Sequence, residues 1–284
     1  MTEDRNAQPA SGFGKLMHGV TQFGVIVAMV LLLKTVAAEA YFVPSGSMLP
    51  SLLVGDYLLV SKFPYGYSRY SLPVPLAPAS SERLLGKLPE RGDVVVFRLP
   101  RDPSQTYVKR VIGLPGDRVQ MRAGRLWVNG RMLPLRRDGI GAIEADDGTR
   151  EPAPRFVETL PNGREHPIFK YRPNGELDDT QQFFVGEGQI FVMGDNRDDS
   201  LDSRVPGTSL GVGFVPVENL VGRVEAVLGS WDAAVRHEPL WMWPSGLRLS
   251  RCSSGSGGPS ADTAGPSSWC SCSRCSPAVG PGGT

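Results

Sequence analysis

Residues 107–119 read YVKRVIGLPGDRV, a β-branched and aromatic run closed by Gly, Pro and Asp. Alternation puts Tyr107, Lys109 and Val111 on one face of a strand and Val108, Arg110 and Ile112 on the other. The same short, punctuated pattern recurs along the chain. Tyr57–Ser61, Asp93–Arg98, Thr106–Ile112, Arg118–Met121, Leu126–Val128, Gln189–Met193 and Gly222–Leu228 are rich in Val, Ile, Tyr and Phe and are bounded by turn formers. Arg122-Ala123-Gly124-Arg125 turns one pair into a hairpin over Asp117–Arg131, ending at Asn129-Gly130. No G-x-G-x-x-G lies between a strand and a helix, and no P-loop sequence occurs. The pattern predicts a mainly β, antiparallel body.

Composition removes several chemistries. With 30 Lys and Arg against 29 Asp and Glu, the net charge of +1 offers no basic excess for nucleic acid. The three His, at 18, 166 and 237, are too scattered for a His-rich metal site. All Cys lie beyond Leu249, so the body has no thiol nucleophile, Cys zinc site or disulfide. No metal or cofactor is expected.

Before the β body, Phe23–Leu33 (FGVIVAMVLLL) is an unbroken apolar run, and the apolar character continues to Val43 if Lys34 snorkels or faces protein. A bilayer needs about 20 residues, which 20–43 supplies. Ala38-Glu39-Ala40 fits the small-x-small cleavage pattern of a secretory signal peptide, so cleaved peptide and retained anchor compete. A buried core helix is the third reading. Either export reading puts the body outside the cytoplasm. The expected organisation is a cytoplasmic segment 1–19, a transmembrane signal anchor 20–43, a β-rich catalytic domain 44–230 and a C-terminal extension 231–284. Within the domain, 132–182 lacks periodicity and reads as an inserted subdomain or mobile loops.

Serine chemistry without His needs another base, because a hydroxyl must lose its proton as it attacks. Lysine serves only when neutral, so burial must pull its pKa down from ~10.4. Pro44-Ser45-Gly46-Ser47-Met48-Leu49-Pro50 places a Ser-Gly-Ser between prolines directly after the apolar segment. Ser47 is the candidate nucleophile, with its own amide and the Ser45 hydroxyl as oxyanion donors. Lys109, in its β run, is the candidate base. Either motif alone has an ordinary reading, as a loop or a solvent-facing strand lysine. A third stretch, Gly194-Asp195-Asn196-Arg197-Asp198-Asp199-Ser200-Leu201-Asp202-Ser203-Arg204, lacks the spacing of a calcium loop.

Together these motifs resemble type I signal peptidases (leader peptidases), membrane-bound Ser/Lys endopeptidases. The resemblance covers the anchor, Val43–Lys62 (VPSGSMLPSLLVGDYLLVSK), Gly92–Arg98, Tyr107–Val119, Gly188–Arg204 and Gly213–Gly222 (GFVPVENLVG). It implies a signal-peptidase-like antiparallel β catalytic domain behind an N-terminal transmembrane helix. It implies Ser47 as nucleophile, Lys109 as general base, Ser45 as an oxyanion-hole hydroxyl and Ser200 as the hydroxyl orienting the amine. Asp195 with Arg110 matches an ion pair beside the site, and Asp202 with Arg204 further polar support. Tyr41, Val43, Met48, Leu52, Tyr107 and Val108 fall where the family builds the shallow pockets that accept Ala-x-Ala. The implied partners are exported preproteins, the lipid bilayer and, indirectly, the Sec/Tat export machinery. The implied location is the cell membrane, single-pass, N-terminus cytoplasmic and catalytic domain outside. The family's segment is a retained anchor, which favours no cleavage after Ala40.

Two alternatives remain. A self-cleaving SOS-type repressor shares the Ser/Lys chemistry but carries a DNA-binding domain where this chain has an apolar segment. An inactive membrane-tethered β scaffold would keep the motifs as fold elements only. Beyond Arg251 the chain departs from the family pattern. Ser, Gly, Pro and Cys supply 24 of its last 34 residues, too little apolar surface to offset ordering, so disorder is expected there. A shifted reading frame would produce such a composition. Cys270, Cys272 and Cys275 lack the context of a metal knuckle. Trp241 and Trp243 suit a membrane interface or an ordinary packed surface equally.

Overall fold

The computed structural model describes residues 12–36, 38–71, 83, 85–144, 150–207, 210–232 and 246–248. The Cys-rich tail, the Trp241–Trp243 cluster and the Lys34 side chain lie outside the described residues. Helix α1 (Gly12–Val36) opens the described chain and is followed by strands β1 (Ala38–Phe42), β2 (Asp56–Ser61), β3 (Val94–Leu99) and β4 (Asp102–Gly113). A meander follows, of β5 (Arg118–Arg122), β6 (Arg125–Val128) and β7 (Arg131–Met132). Then come β8 (Leu135–Glu144), β9 (Arg150–Thr159) and β10 (Glu165–Phe169). The last strands are β11 (Phe183–Phe184), β12 (Gln189–Met193), β13 (Val215–Pro216) and β14 (Leu220–Ser230).

Three sheets result: β1-β2-β14-β3-β4-β12-β13, β11-β5-β6-β7 and β10-β9-β8. Every pairing between these strands is antiparallel. The chain is thus mainly β, as the periodicity predicts. At the β5–β6 turn Ala123 and Gly124 have φ of 46° and 70°, the left-handed pair that matches the twist of a two-residue hairpin. Beyond it, Asn129 and Gly130 repeat the device before β7.

The large sheet is buried on both faces at its centre. From Lys109 to Gly113 every residue of β4 is buried, so the strand has no wet side there. Val95, Phe97, Val111 and Val192 pack on one side, while Val43, Met48, Leu58 and Val60 form a separate cluster under the β1–β2 end. Ile112, Phe183 and Phe191 join this sheet to the meander.

Two expectations need correction. The anchor drawn to residue 43 is too long, because the helix ends at Val36 and Ala38–Phe42 is a strand paired with β2. Glu39 belongs to that strand and accepts a 2.9 Å ion pair from buried Lys62, an arrangement a lipid-spanning helix would not allow. Leu16, Val20, Phe23, Ile26 and Met29 of α1 are exposed. Among the described residues, however, no helix is long and apolar enough to cross a membrane.

The second correction concerns 132–182, which holds a regular three-stranded sheet where mobile loops were one expectation. Pro152, Pro154 and Pro167, with Gly139 and Gly141, hide its period from a sequence reading. The prolines of β9 are tolerated because β10 pairs only with Arg155–Thr159, and just beyond it Lys170 donates its N–H to the Pro154 carbonyl, a contact that asks no N–H of the proline. This sheet docks on the body through Phe169, buried with Leu49 and Ala153. Gly141 lies directly against it, and a Cβ there would meet the Phe169 ring at 2.6 Å. Gly141→Ala should therefore destabilise the chain by about 1–3 kcal/mol, read as a lower urea midpoint at unchanged m. An unchanged midpoint would mean that the ring yields freely.

Candidate active site

Lys109 sits near the middle of the large sheet, opposite Val95 of β3 and two residues before Val111, which pairs with β12. It is 2% exposed. Its amine lies 2.5 Å from Ser47 Oγ, across 62 residues of sequence. Ser47 belongs to a single 3-10 turn, Gly46–Met48, which follows β1 and is pinned by buried Met48. Ser45 is exposed, its hydroxyl 3.5 Å from that of Ser47.

An ammonium in such a place is poorly solvated. Burial pulls the Lys109 pKa down to about 8, against the opposing fields of Asp202 and Asp195. Those carboxylates are already committed elsewhere, which limits how firmly they hold the lysine proton. Arg204 binds Asp202 through Nε and Nη2, both at 2.9 Å. Arg110, next in β4, reaches Asp195 through Nε at 2.8 Å and Nη2 at 2.6 Å. Burial penalises both carboxylates, but their arginines outweigh it and hold them below the usual range.

Asp195 opens onto further partners. Ser51 donates to its Oδ2 and accepts from Arg110 Nη2 at 3.2 Å. Gly194 donates its N–H to Asp202 at 3.0 Å. A Cβ on Gly194 would lie 2.2 Å from Ser200 Oγ and 2.5 Å from the Ser47 carbonyl, so only glycine fits. Ser200 is buried beside this contact, and its hydroxyl has no hydrogen-bond partner among the described residues. Asn196 donates its N–H to the Ser47 carbonyl at 3.1 Å and its Nδ2–H to the Gly46 carbonyl at 3.3 Å. Arg197 pairs with Glu158 of β9 through two contacts of 2.8 and 2.5 Å.

Of the residues expected to line a substrate pocket, Val43, Met48 and Leu52 are buried in one cluster, with Tyr41 and Val108 packed against it. Tyr107 stands apart. It packs on the neighbouring cluster against Phe97, its register partner in β3, at 6.3 Å between ring centres. Its own ring still lies 5.9 Å from the Lys109 amine. Ser51, Gly194, Asn196 and Arg197 stand inside the motifs quoted above, yet nothing in the string shows which neighbour each would touch. Glu158 and His166 lie in the segment whose strands the prolines conceal. His166 is wedged 3.6 Å from Glu158 and 3.9 Å from Asp195. Burial first, and then the Arg110 charge, lower its pKa to about 4, leaving a neutral ring at pH 7.

The arrangement brings a serine hydroxyl against a buried amine whose pKa is lowered to about 8, a pairing that suits proton transfer between them. A family model described as "Signal peptidase, peptidase S26" matches residues 16–231. Signal peptidase I of Rickettsia typhi (strain ATCC VR-144 / Wilmington) is 38% identical over 245 residues, covering 81% of this chain and 89% of that protein. Signal peptidase I of Rickettsia prowazekii (strain Madrid E) is 37% identical over 245 residues, with the same coverage of 81% and 89%. A solved signal peptidase I from Enterococcus faecalis V583 shares 26% identity with a TM-score of 0.27, over 49% of this chain and 97% of that chain. That superposition is too slight to bear on the fold.

Burying Lys109 also has a stability consequence. Its folded pKa of about 8 lies below the unfolded value, so the unfolded chain binds more protons between those two points. The cost is complete below pH 8, fades as pH rises toward the unfolded pKa, and vanishes above it. Lys109→Met should raise stability at pH 7 by about 1–3 kcal/mol, the advantage shrinking toward pH 10 in denaturant titrations. A variant less stable than the parent at pH 7 would contradict this.

Proposed function

The chain belongs to the signal peptidase family, peptidase S26, and is a signal peptidase; on that premise we propose that it cuts exported preproteins after Ala-x-Ala sites through a Ser47/Lys109 dyad. What carries the reading is the 2.5 Å contact between the buried Lys109 amine and Ser47 Oγ. The neutral amine takes the Ser47 proton while Oγ forms a bond to the scissile carbonyl carbon, and the carbonyl π pair moves onto oxygen. The Ser47 amide and the Ser45 hydroxyl bind that oxyanion. As it collapses, the C–N bond breaks and the lysine proton passes to the leaving amine. Water then adds to the acyl carbon as Lys109 takes one of its protons. The adduct collapses with rupture of the Oγ–C bond, and Lys109 passes that proton to Ser47 Oγ, restoring hydroxyl and neutral amine.

Asp195 and Asp202, each paired with its arginine (Arg110 and Arg204), balance the charge around Lys109. Ser200, whose hydroxyl is unpartnered among the described residues, is buried against the Gly194 contact with Ser47. Val43, Met48, Leu52, Tyr41 and Val108 form apolar walls that admit alanine and turn away larger side chains, with the Tyr107 ring beside the amine. The exposed apolar side chains of α1 suit contact with lipid, with the N-terminus cytoplasmic and the β body outside. Neither alternative from the sequence is favoured. A passive scaffold has no use for a lysine whose burial costs stability, and a DNA-binding repressor is at odds with a family match running from residue 16 to 231.

Ser47→Ala and Lys109→Ala should each lower preprotein cleavage by at least ~10³-fold while leaving the denaturation transition cooperative. Normal processing by either variant would remove the dyad. For the active chain, kcat/KM should rise with pH as the Lys109 amine deprotonates, with a midpoint near 8. A profile flat from pH 6 to 10 would contradict an amine base. Gly194→Ala should lower kcat by about 10²-fold or more, because its Cβ intrudes between Ser200 and Ser47. Full activity there would show that this approach is not needed.

A further inference from the structure

The nucleophile turn is short and carries one internal backbone bond from Leu49 N–H to the Gly46 carbonyl at 3.0 Å. Asn196 adds two more from outside, one to each carbonyl that flanks the Ser47 backbone. The peptide joining Gly46 to Ser47 bears the Gly46 carbonyl at one end and the Ser47 N–H at the other. A trans peptide is planar, with these two bonds pointing in opposite directions. A partner that draws the Gly46 carbonyl toward itself therefore turns the Ser47 N–H away from itself.

Asn196 is poorly explained as a stabilising residue. It is 0% exposed; among the described residues its one side-chain donor bond is 3.3 Å long and its Oδ1 has no hydrogen-bond partner. Such a half-satisfied amide costs stability compared with an apolar side chain of the same size. Its neighbours each hold something different: Gly194 holds Asp202, Asp195 holds Arg110, and Arg197 holds Glu158. Asn196 alone among them holds the backbone of the nucleophile.

We propose that Asn196 is a positioning residue that sets the Ser47 N–H in the direction needed to bind the oxyanion, a role that rests on the Ser47/Lys109 reading above. Strand β10 supports it. Phe169 donates its N–H to the Asp195 carbonyl and accepts from Arg197 N–H, both at 3.0 Å, bracketing Asn196. The three-stranded sheet, through this bridge, holds the oxyanion donor in register with the base.

The test uses the full chain in detergent and a preprotein with an Ala-x-Ala site, comparing the parent with Asn196→Leu and with Ser47→Ala as control. Asn196→Leu should keep or raise Tm and lower kcat about 10–100-fold, with KM little changed and the pH midpoint still near 8. A peptide aldehyde ending in Ala-x-Ala forms a hemiacetal with Ser47 and places an oxygen where the oxyanion develops. Its affinity should fall in step with kcat, while that of the matching product peptide should not. If Asn196→Leu does not fold, Asn196→Ala, which cannot overfill the site, carries the same kinetic expectation, with a lower Tm from the cavity it leaves. Unchanged kcat, or equal weakening of aldehyde and product peptide, would overturn the proposal. Cleavage by Ser47→Ala would overturn the dyad itself.

Discussion

A lysine almost wholly shielded from solvent is the constraint on which the rest depends. Strand β4 carries Lys109 into a sheet buried on both sides, and this lowers its pKa to about 8. A solvated strand lysine at the same distance from a hydroxyl would stay protonated and could not serve as a base. Burial thus makes the chemistry available and also makes the site expensive. The carboxylates nearby could cancel the effect by stabilising the ammonium. Arg110 and Arg204 pair with them, and burial outweighs the pull they still exert on the ammonium.

Geometry around this centre is enforced by one short stretch, Gly194–Arg197, which leaves β12 and touches a different element at each residue. Gly194 lets Ser200 and the Ser47 carbonyl approach within the space of a missing methyl group. Asp195 ties down β4, Asn196 the turn that bears Ser47, and Arg197 the sheet that ends in Phe169. Phe169 packs with Leu49, two residues beyond Ser47. The sheet at 135–169 is accordingly part of the support of the site, although its strands carry none of the reacting groups.

Most of this architecture is legible in the string, for stated reasons. The strands of the large sheet alternate or run apolar without interruption, and the Ala123-Gly124 hairpin turns where small residues permit positive φ. The close approach of Lys109 to Ser47 follows less directly, because no period links positions separated by 62 residues. There the resemblance to signal peptidases supplied the pairing. Strands β8 to β10 stay hidden because proline and glycine interrupt them, with Pro152 and Pro154 beyond the end of the β9–β10 pairing and Pro167 on the edge strand β10. Ala38–Phe42 misleads in another way. Its apolar letters continue those of α1, and only the pairing with β2 and the Glu39–Lys62 contact mark where the helix has ended. Tyr107 follows the alternation but packs with Phe97, away from the cluster beneath Ser47.

The direct measurement is the titration of the Lys109 amine in the intact chain. Lysine labelled with ¹³C at Cε gives one resonance per residue, and the Lys109 signal is the one lost in Lys109→Met. Its chemical shift followed from pH 6 to 11 should move with a midpoint near 8, while surface lysines titrate near ~10.4. A Lys109 midpoint at the surface value would mean that the buried amine keeps its proton at neutral pH, and Ser47 would have no base.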